Sequence, residues 1–75
     1  MRITYDREAD TVYIKLSDEQ LAGQAHNLKA PTPPGVEAWI VLDWNDGRLI
    51  GIEVLDASSR LPDDFLEQAE DITNQ

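Results

Sequence analysis

Apolar residues recur at every second position in several stretches of this chain. Met1, Ile3 and Tyr5 alternate with Arg2 and Thr4, and Val12, Ile14 and Leu16 alternate with Tyr13 and Lys15, which predicts two half-buried strands. The polar run Asp6-Arg7-Glu8-Ala9-Asp10 between them is short, so an antiparallel hairpin is the natural connection. Pairing Ile3 with Val12 or with Ile14 puts both apolar sets on one face, whereas a slip of one residue would turn one set to water.

A second alternation follows Gly35, with Val36, Ala38, Ile40, Leu42 and Trp44 on one face and Glu37, Trp39, Val41 and Asp43 on the other. Asn45-Asp46-Gly47 then signals a turn, and Leu49 to Leu55 alternates again through Ile50, Ile52 and Val54. Two turns compete, and they differ by one residue in register. A two-residue Asp46-Gly47 turn places Ile50 opposite Asp43 and Ile52 opposite Val41. A three-residue loop with a Gly47 bulge pairs Leu42 with Ile50, Ile40 with Ile52 and Ala38 with Val54. The second register makes one continuous aliphatic face, and burial at about 1.5 to 3 kcal/mol per side chain outweighs differences among turn types, so it is the one expected. It sets Trp39 opposite Glu53, Val41 opposite Gly51, Asp43 opposite Leu49 and Glu37 opposite Leu55. The side chain absent at Gly51 then leaves a shallow place beside Trp39 and Val41 for close approach by another surface.

Between the hairpins, Gln24 to Lys29 suits a short edge strand, and Pro31, Pro33, Pro34 and Gly35 make a restrained connection. After Leu55 the spacing of Leu61, Phe65, Leu66, Ala69 and Ile72 predicts a terminal helix covering the aliphatic side of the sheet. Ser58 and Ser59 offer caps, Pro62 suits a first turn, and Asp63 and Asp64 favour its positive end.

Seventy-five residues without cysteine make a single domain over 1–75, and a chain this small buries only about 60% of its unfolded surface. Self-association is therefore an attractive extra source of stability. Six Lys and Arg against fifteen Asp and Glu give a net charge of −9, which repels phosphate backbones and suits a basic protein partner instead of nucleic acid. No apolar run approaches the roughly 20 residues of a membrane span, and the first residues lack the apolar core of a signal peptide, so a cytoplasmic location is expected.

Candidate chemistry is sparse. His26 is the single histidine, and Ser17, Ser58 and Ser59 have no neighbouring base in a nucleophile motif. The carboxylates of Asp6, Glu8 and Asp10 sit in a polar turn with little desolvation to raise a pKa. Asp43 to Gly47 with Glu53 has the oxygen donors of a calcium loop, but Gly47 falls at the fifth position instead of the sixth and the flanks read as strands. On the predicted helix, Glu67 and Asp71 form a like-charged i,i+4 pair whose repulsion a cationic partner would relieve.

The stretch Met1-Arg2-Ile3-Thr4-Tyr5-Asp6-Arg7-Glu8-Ala9-Asp10-Thr11-Val12-Tyr13-Ile14 resembles the opening of the YuzE-like family of small bacterial proteins of unknown function. Asp46-Gly47-Arg48-Leu49-Ile50-Gly51-Ile52-Glu53-Val54-Leu55-Asp56-Ala57-Ser58 is similar to that family's other signature. Gln20 to Trp44 departs from the usual pattern, with extra length, three prolines and two tryptophans. The resemblance implies an antiparallel sheet with a C-terminal helix, no catalytic residues, and an antitoxin-like role in which an acidic domain caps a small basic toxin-like protein.

The expected fold is α+β: a small antiparallel sheet of hairpins with a C-terminal α-helix packed on one face. The expected function is that of a non-catalytic interaction module, without cofactor or metal, that binds a protein partner or a second copy of itself, with a dimer favoured. The residues assigned to the contact are Trp39, Val41, Leu49, Glu53, Glu67 and Asp71. The alternative is a small ligand-binding protein or enzyme using His26 and nearby carboxylates.

Overall fold

The computed structural model describes residues 1–18 and 26–74. Its elements are β1 (Arg2–Asp6), β2 (Thr11–Lys15), β3 (His26–Lys29), β4 (Ile40–Asn45), β5 (Arg48–Leu55), α1 (Ala57–Arg60), α2 (Asp63–Gln68) and β6 (Glu70–Asp71). The strands form one sheet in the order β3-β4-β5-β2-β1-β6. Four of the pairings are antiparallel and β1 with β6 is parallel, so the sheet is mixed where a purely antiparallel one was expected.

The first hairpin takes the Ile3 with Ile14 register, with Tyr5 opposite Val12. Its turn is shaped by the Asp6 carboxylate, which accepts the backbone N–H groups of Glu8 at 3.0 Å and Ala9 at 3.1 Å, and by Asp10 in the left-handed region at φ 52°.

The second hairpin corrects the expected register. Asp46 and Gly47, at φ 49° and 75°, form a two-residue turn of the kind whose twist suits a hairpin, and Asn45 pairs with Arg48. Carried on unchanged, that turn would bring Leu42 opposite Gly51 and destroy the aliphatic face. A β-bulge between Asp43 and Trp44, with Ile50 the extra residue on β5, restores it: Leu42 pairs with Ile52 and Ile40 with Val54. The same aliphatic residues share a side as predicted, but each is shifted by two positions. The opposite side shifts with them, so Val41 stands across from Glu53, Asp43 across from Gly51, and Trp39 accepts the backbone N–H of Leu55 at 3.0 Å.

The single terminal helix is replaced by two short helices and a strand. Pro62 ends the first and introduces the second, which stops at Gln68, so Ala69 and Ile72 lie outside any helix. The core cluster nevertheless joins Ala57 and Leu66 to Tyr5, Val12 and Val54, with Leu61, Phe65 and Ala69 partly buried against it. The tail is then stapled to β1. The Ile72 N–H donates to the Tyr5 carbonyl at 3.0 Å, and Arg2 grips the Glu70 carboxylate through Nε at 2.9 Å and a second nitrogen at 3.1 Å.

The connection before β4 is a turn at Pro33-Pro34-Gly35-Val36. Gly35 takes φ 81°, and the Val36 N–H donates to the Pro33 carbonyl at 3.1 Å. The edge strand expected over Gln24–Lys29 is β3, from His26 on; Gln24 and Ala25 lie outside the described residues. No helix among the described residues is long and apolar enough to cross a membrane.

Candidate interaction surface

Alternation along the strands gives the sheet two chemically different sides. One carries Ile3, Tyr5, Val12, Ile14, Ile40, Ile52 and Val54 and meets the helices in the core. The other, away from the helices, carries Thr4, Tyr13, Lys15, Asn27, Lys29, Val41, Asp43, Gly51 and Glu53, and with Trp39 this open side holds three of the six residues assigned to a contact, Trp39, Val41 and Glu53.

At its centre lies Asp43, 7% exposed and flanked by β3 and β5. A buried carboxylate must be hydrogen-bonded, and this one is bonded from both sides. The Tyr13 hydroxyl donates to Oδ2 at 2.9 Å and the Asn27 side-chain amide donates to Oδ1 at 2.9 Å. Tyr13 reaches across β5 to do so, above Gly51, where a Cβ would fall on its phenol oxygen. Burial, then the hydrogen bond and charge of Asp43, push the Tyr13 phenol up to about 12. The space at Gly51 is thus filled by the chain's own Tyr13, which corrects the expectation of an opening there for another surface.

Trp39 remains 56% exposed, and the Lys29 Nζ sits 3.9 Å from its ring centroid, a cation over the π-face. Val41, beside Lys29 in the β3–β4 register, and Glu53, opposite Val41, are partly buried on the same side. Leu49 is displaced from this group, because beyond the bulge it pairs with Trp44.

The acidic pair expected on the tail is not assembled. Glu67 is exposed on α2, whereas Asp71 lies in β6, so the two do not share a helix face. Asp71 is already engaged: it accepts from the Thr73 hydroxyl at 2.6 Å and the Thr73 N–H at 2.9 Å, and its other oxygen lies 3.4 Å from Arg7 Nε. Those bonds, Thr73 foremost, lower its pKa.

His26 opens β3 as an exposed residue paired with Trp44. Strand alternation puts its side chain on the side opposite Asn27 and Asp43. Among the described residues, no group of three or more histidine, aspartate or glutamate side chains is arranged to hold a metal ion.

One junction was not anticipated. Asp10, in the first hairpin turn, accepts the Tyr5 hydroxyl at 2.8 Å and the Ser58 N–H at 3.0 Å on Oδ1, and the Ser58 hydroxyl at 2.6 Å on Oδ2. Its carbonyl also accepts the Ala57 N–H at 2.9 Å. The residue preceding α1, Asp56, is left-handed at φ 54° and makes no side-chain cap, so Asp10 caps that helix from forty-eight residues away. The bonds from Ser58 and then Tyr5 hold the Asp10 carboxyl below its ordinary range. In the sequence the two partners lie in separate stretches, Asp10 within 1–14 and Ser58 at the end of 46–58.

No curated protein and no solved structure gives a match. The description "Protein of unknown function (DUF2283)" matches residues 2–58, from β1 to the serine that Asp10 holds. The YuzE-like resemblance is consistent with that grouping, and over this span, which is most of its length, the chain belongs to the DUF2283 family.

Proposed function

We propose that this chain is a non-catalytic protein-interaction module whose open sheet side receives a protein partner. The observation that carries the reading is Trp39, 56% exposed beneath Lys29 beside Val41 and Glu53. A large aromatic ring outside the core, framed by polar residues, is the composition of a contact hot spot. Asp43, Tyr13 and Asn27 hold the surrounding strands rigid, so little ordering is needed on binding.

The net charge of −9 favours a cationic partner, attracted at long range and more strongly at low salt. In its most specific form the module is antitoxin-like and caps a small basic toxin-like protein. Co-purification with the small basic product of an adjacent reading frame, weakened by salt and lost in Trp39→Ala, is the expected result. An adjacent basic product that binds wild type and Trp39→Ala alike would overturn the assignment of the surface.

A further inference from the structure

We propose that a second copy of this chain docks edge to edge on β3, antiparallel, with Leu28 on the two-fold axis, so that the two sheets continue as one. This deepens the interaction-module reading and rests on it, but it names a different part of the molecule from the Trp39 side.

Among the described residues β3 ends the sheet, bonded on one flank to β4. The Ala30 N–H donates to the Ile40 carbonyl at 2.7 Å, which sets the phase of the ladder: Leu28 and Ala30 turn their backbone groups towards β4. Asn27 and Lys29 therefore turn theirs outward. These two residues flank Leu28 symmetrically. A two-fold axis through Leu28 opposes Asn27 to the partner's Lys29 and Lys29 to the partner's Asn27, and each opposed pair exchanges two N–H···O bonds.

The side chains fit the same register. Leu28 is 60% exposed and lies beside Leu42 on the aliphatic side of the sheet. On the axis it meets the partner's Leu28 across a non-hydrogen-bonded pair, where side chains approach most closely. Lysine on a short edge strand ordinarily discourages pairing. Here the lysine ammonium is drawn inward over its own Trp39, 3.9 Å from the ring centroid, and the residue opposed to it is an uncharged asparagine, so like charges do not meet across the edge. Moving the axis to Ala30 would oppose Lys29 to Pro31, which has no N–H to donate.

Because residues on one side of a strand stay on that side across the axis, the two Trp39 surfaces end up on a common face. A second copy thus turns one partner site into two, with the gain in avidity that bivalence brings.

The test uses the absence of cysteine from the chain. A single Leu28→Cys places two sulfurs across the axis at about 4.5 Å between Cα atoms, within reach of a disulfide. Air oxidation is expected to convert most of this variant to a covalent dimer, while Asn27→Cys and Lys29→Cys, whose symmetry mates lie about two residues out of register, give little. The unmodified protein should sediment at twice the 8.4 kDa of one chain, and Leu28→Glu should sediment as a monomer with unchanged far-ultraviolet dichroism. Equal cross-linking at all three positions, or a monomer at millimolar concentration, overturns the proposal. A dimer lost in Trp39→Ala but kept in Leu28→Glu overturns the edge register while leaving the interaction-module reading in place.

Discussion

The Tyr13 hydroxyl passes above Gly51 to reach Asp43 Oδ2 at 2.9 Å, so two residues thirty positions apart are joined across an intervening strand. The contact depends on glycine at its midpoint, since any β-carbon there meets the phenol. Gly51→Ala is expected to destabilise the fold by roughly 1–3 kcal/mol through overpacking. Tyr13→Val in the same chain should recover part of that loss. Equilibrium denaturation of both single variants and the double variant checks the coupling; strictly additive effects would contradict it.

The same bond makes a prediction at alkaline pH. The folded protein holds the Tyr13 proton more tightly than the ordinary phenol value of 10.0, with a pKa of about 12. A raised pKa means that its contribution to stability is complete below pH 10 and is lost as the pH climbs from about 10 towards 12. Denaturation midpoints followed across that window should fall more steeply for wild type than for Tyr13→Phe, since the one other tyrosine, Tyr5, is common to both.

Asp10 gives the opposite sign. Its carboxyl is held below the ordinary 3.8, chiefly by Ser58 and Tyr5, so the stability it supplies is present above that pH and disappears as the pH falls through the lowered value. Asp10→Ala should lower the denaturation midpoint near neutrality, because the first turn of α1 loses its cap. The gap from wild type should narrow in strong acid. Ser58→Ala should cost less, since the backbone N–H of Ser58 still donates to the carboxylate.

The tail staple is a weaker device. Arg2 and Glu70 both lie about half exposed, and Arg2→Ala is expected to lower the denaturation midpoint only slightly, with the difference shrinking in high salt. A large, salt-independent fall would mean that the tail contributes more through this contact than its exposure allows.

Much of the sheet was legible because alternation reports which side of a strand a residue occupies. Ile40, Leu42, Ile52 and Val54 do share a side. Alternation cannot distinguish registers that differ by two residues, and that is the size of the shift. The Asp46-Gly47 turn and the aliphatic face looked incompatible only while a bulge at Ile50 was left out of account. Helical spacing misled in the tail, where Ala69 and Ile72 keep the period of a helix that stops at Gln68. The pairing that replaces it joins β6 to β1 from the far end of the chain, and local pattern carries no information at that distance. The same reason hid the roles of the Asp43 and Asp10 carboxylates. Asp43 reads as one polar position in a strand and Asp10 as one more turn residue, because their partners Tyr13 and Ser58 lie thirty and forty-eight positions away. Trp39 was identified through its alternation with Ile40, although its neighbour across the strand is Leu55 and not Glu53.

The most direct measurement compares what wild type and Trp39→Ala retain from native lysate at low and high salt. Trp39 is exposed, so the substitution should change stability by less than about 1 kcal/mol and leave the sheet intact. A protein bound by wild type at low salt, reduced at high salt and missing from Trp39→Ala is the expected result. The same protein retained equally by both chains, or by neither, would contradict it.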